Sequence, residues 1–202
     1  MQIVDFVTSN SEKVKWVNGV AEKYNYQLRF EMYKYDFEEG RSTDVEDVVK
    51  KKVTSCMEVE KRPFIVEDSG FFIDALNGFP STFVKFGLST IGINGILKLT
   101  KDIDDEKRTY SIRSAIGYGD PISKRSITVI SSSTGKLSRE LTTGNYRNWG
   151  DIMGLIIPEG YKTTIAQFDD EKWQHYKYDT EKGDAFTVSI GKILKIINGE
   201  HV

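Results

Sequence analysis

The chain has 202 residues, 39% hydrophobic and 29% charged, a balance that suits a globular protein rather than a disordered one. Its 28 Lys and Arg against 30 Asp and Glu give a net charge of −2, without the basic excess of a duplex-binding protein, so no nucleic-acid partner is expected. One cysteine and 2 histidines exclude a disulfide framework and a Cys/His zinc site, and with no secretory pattern and no apolar run of the ~20 residues that cross a bilayer, the expected place is the cytoplasm, away from membranes.

Ile3 to Val7 reads as a short buried strand ending in Thr8-Ser9-Asn10. Ser9 with Glu12 three positions on matches a capping box, and Ser11 to Tyr24 sets Val14, Val17, Val20 and Ala21 on one helical face. Tyr26 to Asp36 alternates as a half-buried strand does, with Leu28, Phe30 and Met32 on one side. Beyond a polar loop from Glu38 to Ser42, a second helix turns Val45, Val48, Val49, Val53, Cys56 and Met57 inward, and Lys52 falls on that same face. Pro63 to Val66 is an apolar strand that runs into Glu67-Asp68-Ser69-Gly70. Phe71 to Leu76 stays extended as far as the turn Asn77-Gly78-Phe79-Pro80. Thr90 to Thr100 predicts a helix. Arg108 to Tyr118 and Ser126 to Ile130 predict strands joined around Gly119-Asp120-Pro121, with a third strand over Leu137 to Thr142. Residues 144 to 184 show no clean period, and a last helix buries Phe186, Ile190, Ile193, Leu194 and Ile197. Helices and strands interleave early and a β meander follows, which predicts a mixed α/β fold.

Four places could carry chemistry. The strand-to-helix turn Thr8-Ser9-Asn10-Ser11-Glu12-Lys13 presents main-chain N–H groups and a cation, which suit a phosphate, although an ordinary capped helix with a solvated lysine has the same residues. Glu67-Asp68-Ser69-Gly70 puts two adjacent acids at a strand end. Oxygen ligands of this kind suit Mg²⁺ held by one or two carboxylates and substrate phosphates, and strand alternation sends only one of the two into a given cleft. Asp36, Glu38 and Glu39 form an acidic loop that could supply a second carboxylate or simply be solvated. Lys52 among apolar neighbours either points inward, where it needs an anion such as phosphate, or snorkels at the rim. Trp149, Tyr161, Trp173, Tyr176 and Tyr178 could stack on a base or pack in a core.

Taken together these stretches resemble the inosine triphosphate pyrophosphatase family, and the chain is similar to a divergent, archaeal-like member. Thr8-Ser9-Asn10 with Lys13 resembles the T-x-N-x-x-K opening of that family. The run from Glu67-Asp68-Ser69-Gly70 through Ala75-Leu76-Asn77-Gly78-Phe79-Pro80 is close to its E-D-S-G-L-x-x-x-A-L-N-G-x-P-G, and the likeness continues in Ile91 to Leu99 and in Ser114-Ala115-Ile116-Gly117. The resemblance implies one catalytic domain over residues 1–202, with a mixed central sheet, flanking helices and two lobes around a deep nucleotide cleft, commonly as a homodimer. It implies Mg²⁺-dependent hydrolysis of non-standard purine nucleoside triphosphates such as ITP, dITP and XTP to monophosphate and pyrophosphate. By motif, Asp68 becomes metal ligand and general base and Glu39 the second metal ligand. Thr8, Ser9, Asn10, Lys13, Lys52, Ser69, Lys85 and Lys182 become substrate-binding residues.

The base half departs from the pattern. Asp151-Ile152-Met153-Gly154 stands where the family has G-[FY]-G-[YW]-D-P, Thr164-Ile165-Ala166-Gln167 replaces T-x-A-E, and Thr180-Glu181-Lys182 replaces S-H-R. Loss of a polar contact in such a site alters discrimination by ~10⁴–10⁵-fold. Two alternatives follow: a nucleotide-binding protein that has lost catalysis, and a pyrophosphatase for a pyrimidine or modified triphosphate.

Overall fold

The computed structural model describes residues 1–36 and 42–200. The first strand, β1 (Gln2–Val7), leads through an extended Asn10 into α1 (Ser11–Lys23). The Asn10 side-chain oxygen accepts from the main-chain N–H of Glu12 at 3.0 Å and of Lys13 at 3.4 Å. The cap is therefore Asn10, not the predicted Ser9–Glu12 box, since the asparagine oxygen reaches both orphan donors of the first turn. Trp16, Val17, Val20 and Ala21 are the buried face of α1.

β2 (Leu28–Tyr33), α2 (Val45–Val59) and β3 (Phe64–Ile73) follow, with Asp44 capping α2 through the N–H of Glu46. Met32, predicted to face inward, is exposed near the end of β2, the edge strand of the sheet. The chain then forms a 3₁₀ turn at Asp74–Leu76, the two-residue β4 (Pro80–Ser81), α3 (Val84–Thr90) and α4 (Gly92–Leu99). One helix was predicted here and two are present, separated at Gly92, whose φ of +65° turns the chain. Gly87 hides α3 from a sequence reading, yet a Cβ there would meet the Pro80 ring at 2.9 Å, so glycine is what lets the helix settle.

β5 (Thr109–Asp120) and β6 (Arg125–Leu137) make a long antiparallel hairpin. The predicted third strand over Leu137 to Thr142 is absent. β6 itself runs on through Ser131-Ser132-Ser133-Thr134-Gly135, a stretch that reads as a loop by composition and is held extended by its ladder to β5. In the region without a clean period lie 3₁₀ turns at Arg147–Gly154 and Ile165–Gln167, the short β7 (Ile156–Pro158) and α5 (Asp170–Lys177). The last element is α6 (Ala185–Ile197), capped by Asp184.

All strands join one sheet in the order β2-β1-β3-β5-β6-β7, with β4 on β3. β1 pairs in parallel with β2 and β3, and the remaining pairs are antiparallel. The predicted mixed α/β fold is the one observed. α1 and α6 cover one face over a large core that includes Phe6, Trp16, Ile65, Ile116, Phe186 and Leu194. On the opposite face α2 covers a smaller core of Val49, Val53, Cys56, Phe64, Val66 and Ala115. Trp173 and Tyr176 are buried in the large core, so these two aromatics are packing residues.

Candidate functional site

The order β2-β1-β3 makes the carboxyl end of β1 a switch point, since one connection crosses each face of the sheet from there; open α/β sheets bind ligands at such a place. β1 meets β3 only at Asp5–Phe64 and Phe6–Ile65, whereas β3 continues to Ile73. The edge of β3 from Val66 onward is thus free of β1, and the Thr8–Asn10 turn lies at this opening.

Alternation along β3 splits its two acids. Glu67 points to the α1–α6 face, where it is 8% exposed, accepts a hydrogen bond from the Ser69 hydroxyl and forms an ion pair with Lys13. Ser114, opposite Ser69 on β5, donates its hydroxyl to Glu67 at 3.4 Å. Asp68 points to the α2 face, half-buried, and Lys52 Nζ donates to its Oδ1 at 2.8 Å and to the Glu67 main-chain oxygen at 3.2 Å. Lys52 therefore does turn inward, and its anion is Asp68. Two lysine–carboxylate pairs flank the middle of β3, one on each face; the strand end expected after Val66 is not there, because the ladder to β5 carries β3 on to Ile73.

The electrostatics follow from burial and pairing. Burial pulls the Lys13 ammonium down, but Glu67, with Asp68 and Asp184 behind it, outweighs that and holds the group above its ordinary value. Burial pushes the Asp68 carboxyl up, and Lys52 opposes this only in part. Asp184 is pushed up to about 7, chiefly by burial and with help from the Glu67 charge, while the Phe186 N–H works against it.

The remaining expected residues are placed as follows. Thr8 Oγ1 accepts from the Asn10 N–H at 3.1 Å and shapes the turn, and Ser9 is exposed there. Asn10 occupies two of the N–H groups that would otherwise face an anion. Lys85 is exposed on α3, and Lys182 is exposed in the turn before α6, where its main-chain N–H donates to Asp179. Among the described residues neither contacts the lysine–carboxylate pairs. Glu39 lies outside the described residues. Where the family has its base motif, Asp151 is exposed and Ile152, Met153 and Gly154 are buried.

Lys52 and Asp68 open into a groove of about 1600 Å³ on the α2 face, walled by Phe72, Phe79, Phe83 and Arg113. The volume exceeds the ~300–1,000 Å³ of a typical small-ligand pocket, so a nucleotide fits with room to spare. Two residues escaped the sequence reading, Asp184 and Arg113. Asp184 had a usable signal, an N-cap acid just before the Ala185-Phe186 start of an apolar helix; Arg113 stood out only as a cation inside an otherwise apolar and small-residue strand.

The Ham1 family model matches residues 4–178. The dITP/XTP pyrophosphatase of Methanopyrus kandleri is 32% identical over 167 residues, covering 83% of this chain and 85% of the relative. That of Saccharolobus solfataricus is 31% identical over 175 residues, covering 87% and 86%. Among solved structures, the Ham1 protein of Staphylococcus aureus superposes with a TM-score of 0.76 at 15% identity, over 99% of this chain and 100% of that one. The HAM1 protein of Coxiella burnetii gives 0.75 at 18% identity, over 98% and 100%. These two structural likenesses carry the fold.

Proposed function

The chain belongs to the Ham1 family, and on that premise we propose that it is a house-cleaning pyrophosphatase, acting on non-standard purine triphosphates of the dITP and XTP kind named for its relatives. The observation that carries this reading is the Lys52–Asp68 pair facing a nucleotide-sized groove, with the Lys13–Glu67 pair on the other face of the same strand. Two cations at a switch point receive a triphosphate, and a carboxylate beside them handles the proton.

The donor set fits a divalent cation. Mg²⁺ needs only one or two carboxylates together with substrate phosphates, and Asp68 turns a half-exposed carboxylate into the groove. Asp68 would hold the ion, with Glu39 as second ligand on the family resemblance, and the cation would supply charge stabilisation to the phosphates. Lys13 and Lys52 neutralise and orient the triphosphate. A water oxygen bonds to the α-phosphorus, the bond from that phosphorus to the bridging oxygen breaks, and pyrophosphate leaves with the electron pair. Asp68 takes the water proton. General-base action contributes ~10²–10⁴-fold, and preorganised charge contributes more. In the same reading the chain is one catalytic unit that works as a homodimer in the cytoplasm.

With Ile152, Met153 and Gly154 buried, other residues would recognise the 6-oxo purine on the same chemistry. The test is pyrophosphate release with Mg²⁺ from ITP, dITP, XTP, dUTP and the standard triphosphates, by the native chain and by Asp68→Asn. We expect 6-oxo purine triphosphates to be turned over fastest, and Asp68→Asn to lose at least ~10²-fold in kcat with an unchanged circular dichroism spectrum. Release from dUTP alone shifts the substrate and keeps the chemistry. Near-native turnover by Asp68→Asn sinks the assignment.

A further inference from the structure

We propose that Arg113 is a substrate-binding residue, a guanidinium placed to grip the phosphates that leave as pyrophosphate. This rests on the pyrophosphatase reading and extends it to a residue outside the motifs that support it.

β5 pairs with β3 so that Ala115 stands opposite Asp68 and Arg113 opposite Gly70. Arg113 is thus the diagonal neighbour of Asp68 on the same face of the sheet. Such a pair lies roughly 7–8 Å apart at the backbone, within reach of a long side chain. Both residues line the groove. The separation suits one ligand that has its reacting phosphorus at Asp68 and two further phosphates beyond it.

The guanidinium is held rather than free to wander. Its central carbon lies 4.4 Å from the centroid of the Phe72 ring. That ring lies along β3 over Gly70, where a Cβ would meet two of its carbons at 2.7 and 2.9 Å. Gly70 thus makes room for the ring, and the ring carries the cation. A stacked guanidinium keeps its in-plane N–H donors outward, in the fork that matches phosphate oxygens.

Among the described residues that line the groove, no carboxylate forms an ion pair with Arg113. Asp68 is taken by Lys52, Asp44 accepts from the Glu46 N–H at 2.7 Å to cap α2, and Asp74 accepts from the Thr109 hydroxyl. Among the described residues Arg113 makes no ion pair. A cation stacked on an aromatic wall, exposed and beside the reacting carboxylate, is the partner an anionic leaving group requires.

The test is calorimetric binding of inorganic tripolyphosphate and of IMP to the native chain, Arg113→Ala, Arg113→Lys and Arg113→Met. The expected result is at least a 10-fold loss of tripolyphosphate affinity in Arg113→Ala and Arg113→Met, with partial recovery in Arg113→Lys and IMP affinity within 2-fold of native in all three. Arg113→Met keeps an apolar stem on Phe72, so it separates lost charge from lost packing should Arg113→Ala fold poorly. Unchanged tripolyphosphate binding in Arg113→Met, or an equal loss for IMP, overturns the proposal. A native chain that binds ITP but releases no pyrophosphate overturns the catalytic reading and leaves the Arg113 contact standing on its binding data.

Discussion

Asp184 sits at the start of α6 with its carboxyl 2% exposed, near Glu67 and Lys13 and within electrostatic range of the buried Tyr110 and Tyr176. Its pKa rises from 3.8 to about 7, chiefly because burial disfavours the charged form. The native state therefore binds more protons than the unfolded chain between those values, and stability falls as pH rises through about 4 to 7. Asn is as good an N-cap as Asp, so Asp184→Asn keeps the hydrogen bond to the Phe186 N–H while removing the titration. We expect thermal denaturation to show the variant equal to native at pH 4 and more stable at pH 8, by on the order of 5–10 °C. Parallel melting curves for the two proteins at every pH would remove Asp184 as the source. Lys13, Lys52 and Asp68 were legible in the sequence because a strand-to-helix turn, a helix face and strand alternation are local patterns. Asp184 and Arg113 were not, because each acquires its role from a partner on another element.

Among the elements, α2 fixes Lys52. It lies directly on β5 because Gly117 and Gly119 carry no side chains: a Cβ on Gly117 would overlap Val53, and one on Gly119 would overlap the Phe64 ring and lie 3.0 Å from Met57 Sδ. Gly117→Ala must push α2 outward, and Lys52, one residue before Val53, moves with it. We expect a loss of ~1–3 kcal/mol in stability together with a fall in kcat/KM. Adding Val53→Ala to Gly117→Ala relieves the closest contact and leaves Val49 Cγ1 at 2.9 Å, so the double variant should regain part of the activity even though Val53→Ala alone is destabilising. Denaturant titration and steady-state kinetics on the three variants read this coupling, and simple additivity would count against it. The amphipathic period of α2 was plain in the sequence. Its close approach to β5 was hidden, because glycines in a strand advertise weakness rather than contact. The same blindness missed α3, whose Gly87 is a packing residue, and ended β6 too early at its serines.

At the scale of the whole molecule the two faces of the sheet are unequal. Among the described residues α1 and α6 cover the large core, whereas the single helix α2, which bears Lys52 and borders the groove, covers the small one. Partial openings draw on the regions with fewest buried apolar contacts, so α2 should open at lower free energy than α6 or the central strands β3 and β5. Opening α2 removes Lys52 from Asp68 and destroys the site, so a ligand that needs both must oppose it. Tripolyphosphate at 100 times its dissociation constant should raise the opening free energy of α2 amides by about 2.7 kcal/mol. α5 lies outside the groove lining, so its local openings, which leave Lys52 and Asp68 in place, should be unaffected. Native-state hydrogen exchange with and without tripolyphosphate measures both regions in one experiment. Equal protection of α2 and α6 in the free protein would mean that the small core is no weaker than the large one. A ligand effect on α5 equal to that on α2 would mean that the site reaches across the sheet. The expected pattern is a rigid α1–α6 side holding Glu67 and Lys13, and a more yielding α2 side that closes onto the triphosphate.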